Sequence, residues 1–403
     1  MNVLIIGGTG ILSTDICALS VRKGYSVYIL NRGKRSYVLN NDATLIKCDI
    51  RNESVEEISA KLGDIYFDVV IDFLTFNPAQ MNKTLSCIKD KCNQYIFISS
   101  ATAYEKASED EIITEKTPIG NPKWDYAYQK SLSERFLAEN YKSYVKNWTV
   151  VRPYVTYNET RIPYAIVADG CYWALVNRIN IGKPVILWDN GKAKCTITNT
   201  KDFAVGVVGL FCNEKAYSEA FHVTGDERLT WKGVLDAVIE ANEKSADVID
   251  MPTEEIVSIL PEFKGILYGD KGTNMLFDNS KIKAVVPEFK TNIYFKEGIR
   301  DTLSYLNKQK EVQTINFMME GRLDYLCEKY YKKQKIIWNK SVLSIIPFIE
   351  HGQINNRKDR IKYFIGRNLL WYKLYLLIRV LINLTKQMLG EKGTKFVKGL
   401  LGK

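Results

Sequence analysis

Apolar and polar positions along the N-terminal third follow two alternating periods. Residues 3–6 are four apolar residues in a row, the pattern of a strand buried on both faces. Residues 11–22 then repeat apolar side chains at helical spacing, at Ile11, Leu12, Ile16 and Leu19. Further short β-rich runs stand at 25–30, 45–50, 67–72 and 94–100. Helical stretches separate them, the clearest at 81–91 and from 126 to about 141. Strands alternating with helices predict an α/β fold: a Rossmann-type doubly wound parallel sheet.

Between the first strand and the first helix stands Gly7-Gly8-Thr9-Gly10, with Ser13 three residues on. Strand, glycine turn and helix in that order suit a dinucleotide pyrophosphate. The turn lets backbone approach the phosphates, and the helix N-terminus offers unpaired N–H groups and partial positive charge. The spacing departs from G-x-G-x-x-G, with Ser13 at the third position. The second strand runs into Asn31-Arg32-Gly33-Lys34-Arg35, the point that meets the adenosine ribose. No acidic residue is there to bind a 2′-hydroxyl. Arg32, Lys34 and Arg35 offer cations to a 2′-phosphate instead, so NADP(H) is expected over NAD(H). Asp49, after the third strand, is placed to accept from the adenine amino group, with Ile50 against the ring.

Two more stretches carry chemistry. Ser99-Ser100-Ala101-Thr102 lies past the carboxyl end of the fifth strand, the edge where open sheets bind ligands. Tyr126 and Lys130 are four apart at the start of a helix and share its face. An ammonium there lowers the pKa of the phenol, so that tyrosinate acts as a base, while Ser100 holds the substrate oxygen.

Composition narrows the rest. The chain has 403 residues, 46% hydrophobic and 25% charged, which is globular composition. Its eight cysteines form no CxxC pair, and several sit in apolar runs, which suits a reducing cytoplasm. No signal-peptide pattern opens the chain. With two histidines, His222 and His351, a metal cluster or a histidine-based hydrolase triad is not expected. The net charge of +10 is concentrated at the end: from His351 on there are twelve bases and two acids.

The ordered set GGTGILS, NRG, Cys48-Asp49-Ile50, ISSATAY, YAYQK and Val151-Arg152-Pro153 resembles the short-chain dehydrogenase/reductase superfamily. Its extended or atypical NAD(P)-dependent epimerase/dehydratase branch is the most similar, and the likeness runs over about residues 1–308. The resemblance implies Tyr126 as catalytic acid/base and Lys130 as its partner and a ribose ligand. It implies Ser100 as the hydroxyl residue, with Ser99 as the alternative one register away, and Thr102 as a further substrate contact. Gly7, Gly10 and the backbone around Thr9 and Ile11 would hold the pyrophosphate. It further implies a nucleotide-activated sugar as substrate, and pairing as a dimer through helices 79–91 and 126–141. Sugar 4,6-dehydratases of the branch carry an Asp-Glu pair where this chain has Ala101-Thr102. Keto-sugar reduction or epimerisation therefore ranks above dehydration. The alternative is a non-catalytic NAD(P)-binding or RNA-binding relative.

Residues 1–153 with about 195–225 are expected to bind the cofactor. Residues 154–194 and 226–308 would form a smaller α/β substrate lobe, with Arg161 and the aromatics Tyr154, Tyr157, Tyr164, Tyr172, Trp173 and Trp188. These suit a nucleotide base and a diphosphate, or plain packing. His222 reads as structural. Residues 309–403 form a helical, basic extension, with a polar joint at 330–335 and one long helix over 367–390. Lys373 and Arg379 interrupt its leucines, so a span is not expected; the helix suits peripheral contact with the inner face of a membrane, or a helical cap packed on the body or against a dimer partner. Surface polysaccharide assembly would be the setting for an enzyme held there.

Overall fold

A computed structural model describes residues 1–34, 42–106, 108–354 and 356–382. Its centre is a seven-stranded, all-parallel sheet. The strands are β1 (Asn2–Ile6), β2 (Ser26–Asn31), β3 (Thr44–Lys47), β4 (Phe67–Asp72), β5 (Cys92–Ile98), β6 (Asn147–Pro153) and β7 (Glu219–Val223). They lie in the order β7-β6-β5-β4-β1-β2-β3, and every neighbouring pair is parallel. The winding reverses between β1 and β4, and the carboxyl ends of those two strands open a crevice.

Side-chain parity explains why helices cover both faces. Val3 and Ile5 of β1 point to one face, where they pack with Ile16 of α1 (Ile11–Arg22) and with Phe203 and Val207 of a helix over Thr200–Val208. Leu4 and Ile6 point to the other, against Ile58 of a helix over Val55–Leu62 and Met81 and Leu85 of one over Pro78–Cys87. All four β1 residues are at most 1% exposed. At about 1.5–3 kcal/mol for each fully buried aliphatic side chain, this strand is held from both sides. The third strand is shorter than the sequence pattern suggests: it ends at Lys47, and Cys48, Asp49 and Ile50 form the turn beyond it.

A second core joins Ala101, Tyr104 and Ile113 to residues from 154 onward. It contains the parallel pair Val185–Trp188 and Val248–Met251 and the helices Trp173–Asn180, Trp231–Ala241 and Phe295–Lys308. Ile282, Val286 and Phe289 pack instead on the face of the main sheet. The extension is also built into this core. Its helix Phe317–Gln334 contributes Leu323, Leu326 and Tyr331, and the predicted polar joint at 330–335 is largely the end of that helix. A buried ion network ties it down: Arg178 donates to Glu320 (2.7 Å) and Asp324 (3.1 Å), Lys183 to Asp324 (2.5 Å), and the Tyr363 hydroxyl to the same carboxylate. The long helix expected over 367–390 is continuous from 369 through 382, starting two residues later than the sequence suggests. A helix over Arg357–Arg367 ends at Asn368 (φ −114°, ψ 115°), and a new one begins at 369; residues 383–390 lie outside the described residues. Among the described residues no helix is long and apolar enough to cross a membrane.

Candidate active site

Glycine chemistry sets the cofactor end. Gly8 has φ +26°, and a Cβ there would stand 2.3 Å from Ile29, so the fold itself requires glycine. Gly10 differs. Its φ of −93° suits any residue, and a Cβ would meet only the Ser13 hydroxyl, at 3.5 Å. The packing around that point does not require glycine. Ser13 closes the turn: its hydroxyl accepts from the Gly10 N–H at 2.9 Å and donates to the Gly10 carbonyl at 3.2 Å. The Thr9 N–H is spent on the Gly7 carbonyl, which leaves the first turn of α1, from Ile11, to face an anion.

The rest of the crevice fits an adenosine. The Asn31 side-chain oxygen accepts from Gly33 N–H (2.7 Å), and its buried amide nitrogen has no partner. Asp49 accepts from Arg51 N–H (3.2 Å) and Asn52 (2.9 Å). Slight burial opposes ionisation of Asp49, yet these donors and the charge of Arg32 hold its carboxyl below the usual range. Ile50 lines a cavity of about 360 Å³ with Leu74, Gln80 and Thr84. Arg32 and Lys34 are exposed at the end of β2, and Arg35 lies outside the described residues. An orphaned amide, an unneeded glycine and an apolar slot together fit NAD(P).

The reacting end is a cavity of about 370 Å³ reached past Leu12 and Phe73. Ser100, Thr102, Tyr126 and Lys130 all line it. Asp72, at the end of β4, accepts from Leu74 and Thr75 N–H and from the Thr75 and Tyr95 hydroxyls, which fixes the loop after that strand. Lys130, on the helix Asp125–Asn140, then donates to the Thr75 carbonyl (2.7 Å) and the Ile98 carbonyl (2.8 Å). It is 2% exposed and lies 4.7 and 4.8 Å from the Phe76 and Phe97 ring centroids. Burial pulls its pKa down to about 8, against the carboxylates of Asp72 and Glu134.

The Ser99 and Ser100 hydroxyls have different partners. Ser99 donates to Glu134, which is itself clamped by Arg152. Ser100 shares a 2.8 Å hydrogen bond with Thr102. Tyr126 is flanked by Trp124 (centroids 4.9 Å) and Phe76 (6.1 Å). Burial raises its pKa. Ser100 and the charge of Arg161 work the other way, and Asp270 adds to the rise. The sequence reading gave Lys130 the task of easing phenol ionisation. In the structure its ammonium donates to two carbonyls and lies 6.0 Å from the Tyr126 ring centroid, and the charge of Arg161 also favours tyrosinate.

Among the wall residues missed by sequence reasoning are Phe76, Trp124, Asp270 and Lys271. Asp270 and Lys271 lie in a π-helical turn over Leu267–Lys271. Asn121 holds that turn to the strand-five loop through the Gly269 carbonyl (2.8 Å) and the Thr102 carbonyl (2.9 Å). Asp270 accepts from Tyr154 and Lys271, both at 2.6 Å. Nothing in the local sequence GDKG separates this turn from a solvated one. Arg161, expected as an anion ligand, has a buried Nε with no partner and stacks 5.4 Å over Tyr172. Among the expected aromatics, Tyr154 and Tyr164 line the cavity, whereas Tyr157, Trp173 and Trp188 are core. His222 is fully buried between the Tyr104 hydroxyl (3.1 Å) and the Asp278 carbonyl (2.7 Å), a structural place.

Comparison with known proteins agrees with this architecture. The chloroplast stem-loop binding protein of 41 kDa b from Arabidopsis thaliana is 23% identical over 277 residues, 65% of this chain and 66% of its own length. The 2′-dehydrokanamycin reductase of Streptomyces kanamyceticus is 21% identical over 255 residues, 63% of this chain and 70% of its own. Among solved structures, the UDP-glucuronic acid 4-epimerase of Bacillus cereus in complex with NAD superposes with a TM-score of 0.62 at 18% identity. It covers 77% of this chain and 98% of that one. The sequence pattern of the NAD dependent epimerase/dehydratase family matches residues 3–222, more than half of the chain. The chain belongs to the NAD-dependent epimerase/dehydratase family.

Proposed function

We propose that the protein is an NAD(P)-dependent reductase or epimerase of a nucleotide-activated sugar, with Tyr126 as its acid/base. The observation that carries this reading is the convergence of Ser100, Thr102, Tyr126 and Lys130 on one cavity beside the α1 N-terminus. Residues 1–153 and about 195–225 take the cofactor; 154–194 and 226–308 take the sugar nucleotide. NAD(P), when bound, supplies the hydride acceptor or donor. Ser100 and Thr102 hold the substrate oxygen. In the oxidising direction the Tyr126 phenolate removes the hydroxyl proton; in the reducing direction the phenol returns it to the carbonyl oxygen. Lys130, with two of its N–H groups on carbonyls, would hold the cofactor ribose with the third. Arg161, with its unpartnered Nε, gives the far wall a positive charge for a diphosphate, while the Lys271 ammonium is paired with Asp270. Epimerisation requires the keto-sugar to turn before hydride returns; reduction takes the keto-sugar from another enzyme.

Arg32 supports NADP(H) over NAD(H), although the Bacillus cereus structure contains NAD. Ala101 and Thr102 leave no carboxylate pair beside Ser100, which weighs against 4,6-dehydration. The setting we propose is surface polysaccharide assembly. A second reading, nucleic-acid binding without catalysis, draws on the name of the Arabidopsis relative. A panel of UDP- and dTDP-linked hexoses and keto-hexoses, with either cofactor, separates them. Epimer or reduced product, identified by NMR, supports the enzyme. No turnover on any member, together with tight binding of an RNA stem-loop, overturns it.

A further inference from the structure

The helix that begins at residue 369 meets the body through Tyr372, whose hydroxyl donates to Glu262 (3.0 Å) and whose ring lies 4.2 Å under the Arg322 guanidinium. Its other side is bare. Leu370, Trp371, Leu374 and Leu377 are 75%, 58%, 42% and 56% exposed. Their spacing of one, four and seven places them on a single stripe. On the preceding helix Ile361 and Phe364 are exposed as well. Soluble monomers seldom leave contiguous apolar surface of this kind uncovered.

The charge around the stripe says what covers it. Residues 357–382 hold seven bases and one acid, Asp359, which is paired with Lys362 at 2.8 Å. Among the described residues Lys373 and Arg379 have no carboxylate partner. The sequence beyond 382 adds five bases and one acid. A second copy of this face would bring like charges together. An anionic bilayer surface satisfies both features, because acyl chains take the stripe and headgroups take the bases. Trp371 and Tyr375 suit the boundary between them.

We propose that the 357–382 segment docks the protein flat on an anionic lipid bilayer, with the leucine–tryptophan stripe inserted and the bases over the headgroups. The proposal stands apart from the identity of the sugar. The test is co-sedimentation of the full chain with phosphatidylcholine vesicles, with and without phosphatidylglycerol. Binding is expected only to the anionic vesicles, and about tenfold weaker at high salt. The double variant Trp371→Glu/Leu374→Glu changes two exposed side chains, so it keeps its Tm and its cofactor affinity. Its vesicle binding falls by at least about tenfold. Failure to bind anionic vesicles, equal binding to neutral ones, or a lipid-indifferent dimer that the variant dissolves would each overturn the proposal.

Discussion

The two ends of the candidate cleft are built differently. The cofactor end is a run of neighbours: Gly7 to Ser13 makes the turn, Asn31 and Arg32 end the next strand, and Asp49 and Ile50 follow the third. The substrate end is assembled from afar. Tyr126 comes from one helix, Tyr154 and Arg161 from the segment after β6, and Asp270 and Lys271 from a turn more than a hundred residues later. A site made of consecutive residues on a sheet edge is specified by local sequence. A site made where three segments meet is specified by packing, here by Asn121 bridging Thr102 and Gly269.

That contrast can be broken first at Gly10. The Cβ of a valine there would meet only the Ser13 hydroxyl, at 3.5 Å. We expect about a 100-fold loss of NAD(P) affinity, read by cofactor fluorescence, with Tm nearly unchanged. Unchanged affinity would mean that the pyrophosphate lies elsewhere. At the substrate end, Arg161→Met should raise the KM for the sugar nucleotide about tenfold. It should also move the Tyr126 limb of the pH–rate profile upward, because a cation that favours tyrosinate is gone. A raised KM with no movement of that limb would restrict Arg161 to binding.

The smallest effect concerns His222, which belongs to neither end. Burial lowers its pKa below the ordinary 6.5. Below that pH the unfolded chain binds the extra proton and the folded chain does not, so stability falls as pH drops. His222→Asn should cost about 1 kcal/mol near neutral pH, and the gap to the wild type should narrow toward about pH 5. A gap that widens on acidification would contradict a buried neutral imidazole.

How much the sequence discloses follows the same line. The sheet and its two covered faces were legible because β1 carries apolar residues at odd and even positions alike. Tyr126, Lys130 and Ser100 were legible from a short spacing and a strand end. The orientation of Lys130 was not, since its acceptors are carbonyls on two other segments, at Thr75 and Ile98. Asp270 and Lys271 were hidden in a glycine-flanked turn that looks solvated. In the extension, the apolar stripe and its helix were visible, but the extended backbone at Asn368, which separates that helix from the one over Arg357–Arg367, was not.

The central claim is that Tyr126 exchanges the substrate proton beside a bound NAD(P). The most direct measurement is single-turnover hydride transfer in Tyr126→Phe, followed by the absorbance of the reduced nicotinamide. The account predicts a rate lower by about 10²–10⁴-fold, with cofactor affinity intact. A rate equal to that of the wild type would contradict it.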